Sequence, residues 1–173
     1  LPDGYTLAHY ATVFQDAAGM MQNTLLYCGL AAGLDVLLGM TIAWLLLRTR
    51  LPARQWLDWG AMAALAVPGV VLALGYLRLF HGVMLPGSDT LLTHSWLLLM
   101  LAYAVRRLPY ALRASVAALQ QVHATMEEAA ENLGAGKLRT LRRVVIPLMA
   151  GGLLAGFVTS FITAAVELSA TMM

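Results

Sequence analysis

Asp35 stands inside an otherwise apolar run, LLYCGLAAGLDVLLGMTIAWLLL, at residues 25–47. A carboxyl group in such surroundings can relay a proton, line a path for a polar solute, or close a hydrogen bond to a neighbouring helix. Glu167 follows another apolar run and offers either a path lining or a plain seat in interfacial water. Other chemistry-bearing residues lead less far. His94 and Ser95 are neighbours in sequence, which does not make a nucleophile and base, and neither they nor Ser160 come with an oxyanion site. His9, His81, His94 and His123 are scattered without metal-ligand spacing, so no metal site is expected. The single cysteine, Cys28, excludes an internal disulfide. No glycine loop ending in Lys-Ser or Lys-Thr is present to cradle a nucleotide phosphate, so no cofactor is expected on this chain.

The elements that must position these groups are membrane helices. The chain is 60% hydrophobic and only 12% charged, against about 45–50% and roughly 25% in soluble domains. A helix crossing a bilayer needs about 20 apolar residues. Four stretches meet or approach that length: 25–47, 59–80, 91–108 and 148–166. Ten of the eleven Lys and Arg residues fall just after the first stretch or from the end of the third, at Arg106 and Arg107, to the start of the fourth. Because basic residues are retained on the cytoplasmic side, these two segments lie inside and the N-terminus outside. An extracytoplasmic lead-in then occupies 1–20, the transmembrane domain 21–173, and a cytoplasmic loop 109–147. Asp35 costs about 2.5–3.5 kcal/mol to insert mid-span and so must face protein or water. Gly29/Gly33 and Gly152/Gly156 have the small-xxx-small spacing of close helix contacts. Pro68-Gly69 bends the second span, as a hinge or a static kink.

The one long charged passage is TMEEAAENLGAGKLRTLRRVVIP, residues 125–147. Thr125 and Glu128 have capping-box spacing, so a helix begins at Thr125. Gly134 suits the left-handed residue that ends it. Between them Met126, Ala129, Ala130 and Leu133 share one face, a shallow apolar ridge. Glu127 and Glu131 lie elsewhere on the helix surface. A helix this short is marginal alone, since about 12–15 residues are needed even in favourable sequences. Its ridge either docks in a partner's groove or packs on its own loop. KLRTLRRVV begins a second helix, and Pro147 fits the first turn of the last span. The basic run here serves inside-retention and lipid headgroups rather than nucleic acid.

EEAAENLGAGKLRTLRRVVIP resembles the cytoplasmic signature of permease subunits of bacterial binding-protein-dependent ATP-binding-cassette (ABC) importers. In that pattern Glu-Ala-Ala is followed by three residues, Gly, nine residues and Ile-x-Leu-Pro. Glu128-Ala129-Ala130, Gly134 and Pro147 keep the spacing, with Val144 and Ile146 as mild departures. Asn23-Thr24-Leu25, Pro68-Gly69, Leu108-Pro109-Tyr110 and Glu167-Leu168-Ser169-Ala170-Thr171 resemble the subgroup importing ferric iron, and its thiamine and 2-aminoethylphosphonate relatives.

The resemblance implies an all-α, polytopic membrane bundle of the type I importer permease fold, incomplete at its C-terminus. It implies that Met126–Leu133 is a coupling helix docking on a separate ATPase subunit, which holds ATP and Mg²⁺. Ala129 and Ala130 would make the close contact, Gly134 the turn and Glu128 the cap. Implied partners are that ATPase, a second permease half, an extracytoplasmic substrate-binding protein and the lipid bilayer, with ferric iron or a phosphonate as cargo and the inner membrane as location. Asp35 and Glu167 are the candidate pathway residues. The alternative is an ion-coupled secondary transporter with Asp35 as its relay.

Overall fold

The computed structural model describes residues 17–85, 87 and 89–167. Most of the expected lead-in, and residues 168–171 of the last matching stretch, lie outside them. The described chain is helical: α1 Ala18–Arg48, α2 Gln55–Ala66, α3 Gly69–Leu79, α4 Trp96–Gln121, α5 Ala124–Asn132 and α6 Lys137–Ala165. Two of these, α1 and α6, are long and apolar enough to cross a membrane, and α2 with α3 makes a third if the pair is one broken span. At about 1.5 Å per residue, the 31 residues of α1 more than match a hydrocarbon core of about 30 Å.

The bundle is organised around α4, which packs on both α1 and α6 while those two also touch each other. Tyr27 stacks on Trp96 near the start of α1 and α4, and Arg48 bonds the Leu119 and Val122 carbonyls at their ends. The two helices therefore run in the same direction. α6 runs the opposite way, with Gly152 against Ala118, Gly156 against Ala111 and Ala114, and Ala164 in a cluster with Cys28, Tyr103 and Ala104. Small residues make this possible. A Cβ added at Gly39 would sit 2.9 Å from the Ala111 backbone, and one at Gly152 would overlap the Ala118 side chain. In a membrane, where helices gain nothing by hiding from lipid, such close backbone approach supplies much of the association energy. Gly152/Gly156 thus serve as packing glycines. Gly29 and Gly33 do not, because a Cβ at either would meet open space. On α1 the contact glycine is Gly39.

Three boundaries differ from the sequence expectation. The second span is not one helix, because α2 and α3 meet at 106°. Pro68 lacks an amide hydrogen and drives Val67 into extended backbone (φ −96°, ψ 129°), so α2 stops and α3 restarts on Pro68. The third helix does not give way to a loop at Pro109. It continues through that buried proline to Gln121. Arg106 and Arg107 are therefore not a cytoplasmic boundary but lie within the helix, beside Glu167. Charge alone marked them as an end, and pairing to an acid far along the chain is what lets them sit inside the bundle. Finally, KLRTLRRVV is not separate from the last span. Lys137–Ala165 is one helix that widens into a π turn at Leu141–Val145, where the Ile146 amide bonds the Leu141 carbonyl five residues back. Pro147 follows that wide turn inside the helix rather than opening a new one, and the extra width accommodates its ring and missing donor.

The packing makes a contrast that purified protein can test. Gly39→Ala should lower the stability of the detergent-solubilised chain by about 1–3 kcal/mol in a denaturant titration, the range for overpacked cores. Gly29→Ala and Gly33→Ala should stay within about 0.5 kcal/mol of the parent, as surface changes do.

Candidate functional site

α5 is set by what ends α4. The chain turns at Val122 and His123, and His123, extended at φ −63° and ψ 137°, is the residue before the helix. The Met126 amide bonds the His123 carbonyl at 3.1 Å. Thr125 consequently lies inside the first turn and makes no capping bond, so the capping box with Glu128 does not form. Glu128 is instead an exposed residue of the helix middle. The acid of the first turn is Glu127. The positive end of the helix favours it there, and it pairs with Arg48 at 2.7 Å.

The C-terminal end follows its local chemistry. Gly134 adopts φ 84°. Its amide bonds the Glu131 carbonyl at 2.9 Å, and the Ala135 amide bonds the Ala130 carbonyl at 3.0 Å. These paired bonds form a Schellman motif, which satisfies carbonyls a helix end otherwise leaves bare.

The two faces of α5 differ. Glu127 and Glu131 look into a cleft of about 230 Å³ shared with Trp44, Arg48, Lys137 and Thr140. Met126, Ala129 and Leu133 are exposed, Leu133 at 91%, while Ala130 is partly covered at the edge. The ridge is not packed on its own loop. Beside it, Gly134, Gly136, Lys137, Arg139, Arg142 and Arg143 surround an open basic cleft of about 850 Å³.

The second polar assembly lies between the long helices. Asp35 is fully buried, and Ser160 of α6 donates its hydroxyl to Asp35 Oδ2. The same hydroxyl lies 3.4 Å from the Arg107 carbonyl of α4. Asp35 thus makes the interhelix hydrogen bond that was one of its readings, with Oδ1 left without a partner among the described residues. Glu167 accepts from Arg106 at 3.0 Å and from Arg107. It does not stand in open interfacial water. It is 9% exposed and held by two guanidinium groups. Arg106 also donates to the Val67 carbonyl at 3.2 Å, which the break before Pro68 leaves without a helical partner. Pro147 lies several turns from Asp35, and the structure does not bring the α5 group and the Asp35–Glu167 group together.

The residues missed from sequence are Arg48 as a tie rather than a boundary charge, and Arg106 and Arg107 as partners of Glu167. Their pairings span 79, 61 and 60 residues. Only the parallel course of α1 and α4 would have predicted the first.

Comparison with known proteins adds the family. Residues 35–173 match the model for the binding-protein-dependent transport system inner membrane component. The chain is 31% identical over 170 residues to a ferric transport system permease protein FbpB of Actinobacillus pleuropneumoniae, covering 95% of this chain and 24% of that one. It is 34% identical over 143 residues to a sulfate transport system permease protein CysT of Salmonella typhimurium, covering 80% of this chain and 52% of that one. A molybdenum transport system permease protein ModB of Escherichia coli is 34% identical over 142 residues, 78% of this chain and 61% of that one. The chain spans about a quarter of the length of the ferric relatives it matches. With the family model covering most of its length, and with all-helical elements fitted to a bilayer, the chain belongs to the inner-membrane permease components of binding-protein-dependent ABC importers and has the type I importer permease fold.

Proposed function

We propose that this chain forms part of the translocation path of an ATP-driven importer and takes its power stroke through α5. The observation that carries the proposal is the uncovered apolar ridge of Met126, Ala129 and Leu133, with Ala130 at its edge. A nine-residue helix with no buried residue of its own is shorter than a helix stable in isolation. Its alanines allow close backbone approach, and its end is locked by Gly134. Such a knob suits a shallow groove on a separate ATPase subunit, which would hold ATP and Mg²⁺. Glu128, exposed beside the ridge, is placed to meet a cation of that subunit. Pro147 and the π turn carry motion from α5 into α6. Closure of two ATPase subunits then draws two such knobs together and rearranges packed helices between two states.

The orientation follows from charge. Arg48, Arg50, Arg54, Lys137, Arg139, Arg142 and Arg143 lie at the α5 end of the bundle, which is the cytoplasmic side. The start of α1 then lies on the outer side, where an extracytoplasmic binding protein delivers cargo. Leu26, Leu30, Leu37, Leu154 and Ile162 are exposed along α1 and α6 and suit contact with lipid or with a second permease half. Ferric iron is the proposed cargo. Support comes from three relatives named as ferric permeases, aligned over 95%, 95% and 92% of this chain, against 80% and 78% for those named for sulfate and molybdenum. Asp35 and Glu167, near the path in the middle and outer parts of the bundle, shape it through the helices they join.

Ala129→Leu should leave the amount of membrane-inserted permease unchanged and reduce co-purification of the ATPase subunit on the order of 10-fold, a loss of roughly 1.4 kcal/mol. Gly134→Val should act in the same direction, because a β-branched residue in left-handed backbone costs at least about 1–2 kcal/mol. Normal recovery of the ATPase with both variants would refute docking at α5. Transport that survives these changes but disappears with Asp35→Asn would identify an ion-coupled carrier instead. For cargo, proteoliposomes holding the complete importer should accumulate labelled ferric iron in an ATP-dependent manner and ignore sulfate and molybdate. Preference for either oxyanion would reassign the substrate.

A further inference from the structure

We infer that Arg48 is a positioning residue for α5, clamping it to the inner ends of α1 and α4 so that the three move as one body. The inference deepens the docking reading above and rests on it. Arg48 is the last residue of α1. Its Nε donates to Glu127 Oε1 at 2.7 Å, and one terminal nitrogen donates to the Val122 carbonyl at 2.6 Å and approaches that of Leu119 at 3.4 Å. Those two carbonyls belong to the end of α4, where helical partners run out and a cation is favoured. Glu127 sits in the first turn of α5, where an anion is favoured. A single guanidinium thus completes one helix end and holds the acid at the start of the next, while being itself the end of a third.

Burial and geometry give this contact weight beyond an ordinary surface pair. The side chains of Arg48 and Glu127 are only 18% and 15% exposed, so salt screens them less than pairs in open water. The planar fork of arginine serves two acceptors in fixed directions, which a lysine cannot reproduce. α5 has no buried residue, so apolar packing does not fix it to α1. Glu131 and Lys137 face the same cleft, yet among the described residues Glu131 forms no ion pair with Arg48 and Lys137 forms none with Glu127. A push on the outer ridge of α5 therefore reaches α1 through Glu127 and Arg48, and α4 through the same pair together with the short Val122–His123 link.

The test uses the assembled importer with its ATPase, carrying spin labels at the exposed positions Arg50→Cys and Asn132→Cys. With the clamp intact, the label-to-label distance should stay constant to about 1 Å between nucleotide-free and ATP-bound complexes, below the roughly 1–2 Å of ordinary interface helix shifts. Glu127→Gln and Arg48→Gln should each let that distance move by several Å and broaden. In the same complexes ATP hydrolysis should continue while uptake per ATP falls on the order of 10-fold, within the usual range of coupling energies. The double variant should be no worse than either single one, as expected when both remove the same contact. Glu131→Gln should behave as the parent. A nucleotide-dependent distance in the parent, variants as tight as the parent, or additive losses would each overturn the clamp. If Arg48→Gln is not recovered from membranes, the near-isosteric Glu127→Gln decides alone. ATPase co-purification, measured on each preparation, separates this outcome from failure of docking itself: a complex that never retains the ATPase refutes the docking, whereas one that retains it with a rigid α5 in Glu127→Gln refutes only the clamp.

Discussion

Close approach of α1, α4 and α6 is the constraint from which the remaining structure follows. Gly39 lets α1 lie on the Ala111–Leu112 backbone, and Gly152 and Gly156 let α6 lie on the alanines at 111, 114 and 118. Nothing larger fits at Gly39 or Gly152 without moving a neighbour. In hydrocarbon the attraction between helices is mostly van der Waals contact, which falls away within about an ångström of separation. With this spacing set, Asp35, Ser160 and the Arg107 carbonyl reach one another across three helices. The same spacing brings Arg48 level with the end of α4. The polar contacts therefore depend on the apolar ones, although they are what give the bundle its particular register.

A second requirement is that the arginines inside the bundle have an acid to pair with. Arg106 and Arg107 occupy a helix walled by α1 and α6, and both turn to Glu167. Breaking such a pair from one side leaves a buried charge uncompensated, which is far costlier than losing the attraction alone. Arg106 does further work at the 106° break, where it holds the carbonyl of Val67. The bend is thus maintained from both directions. Proline removes a donor, and the arginine satisfies an acceptor that the missing turn would have used.

How much of this could be read from residues alone depended on distance along the chain. Gly134 was legible, because a left-handed helix end is decided within a few residues. The apolar stretches and the ridge of α5 were legible because periodicity and length are local too. The capping box at Thr125 was also a local inference, yet it failed. The start of α5 is fixed by Val122 and His123, where α4 ends, and Arg48 from a distant helix donates to the carbonyls at that end. Gly29/Gly33 and Gly39 are equally plausible contact sites by spacing, and only the crossing geometry of α1 and α4 selects Gly39. Arg106 and Arg107 looked like the rim of a membrane helix because their acid lies at residue 167. Local rules described each end correctly only where no remote group competed for it.

The wide turn at Leu141–Val145 has a geometric consequence for the whole of α6. A helix advances by about 100° per residue, and the amide of Ile146 reaches one residue further back than a regular helix allows. Everything beyond it is therefore out of phase with Lys137–Thr140 by about that angle. This offset is what permits the first turn to stay beside α5 while Gly152, Gly156 and Ser160 confront α4. Shortening that turn by a single residue would swivel the entire outer segment about its axis and aim its polar and small residues at lipid. The azimuth of a 29-residue helix is thus governed by five residues at the α5 end of the bundle.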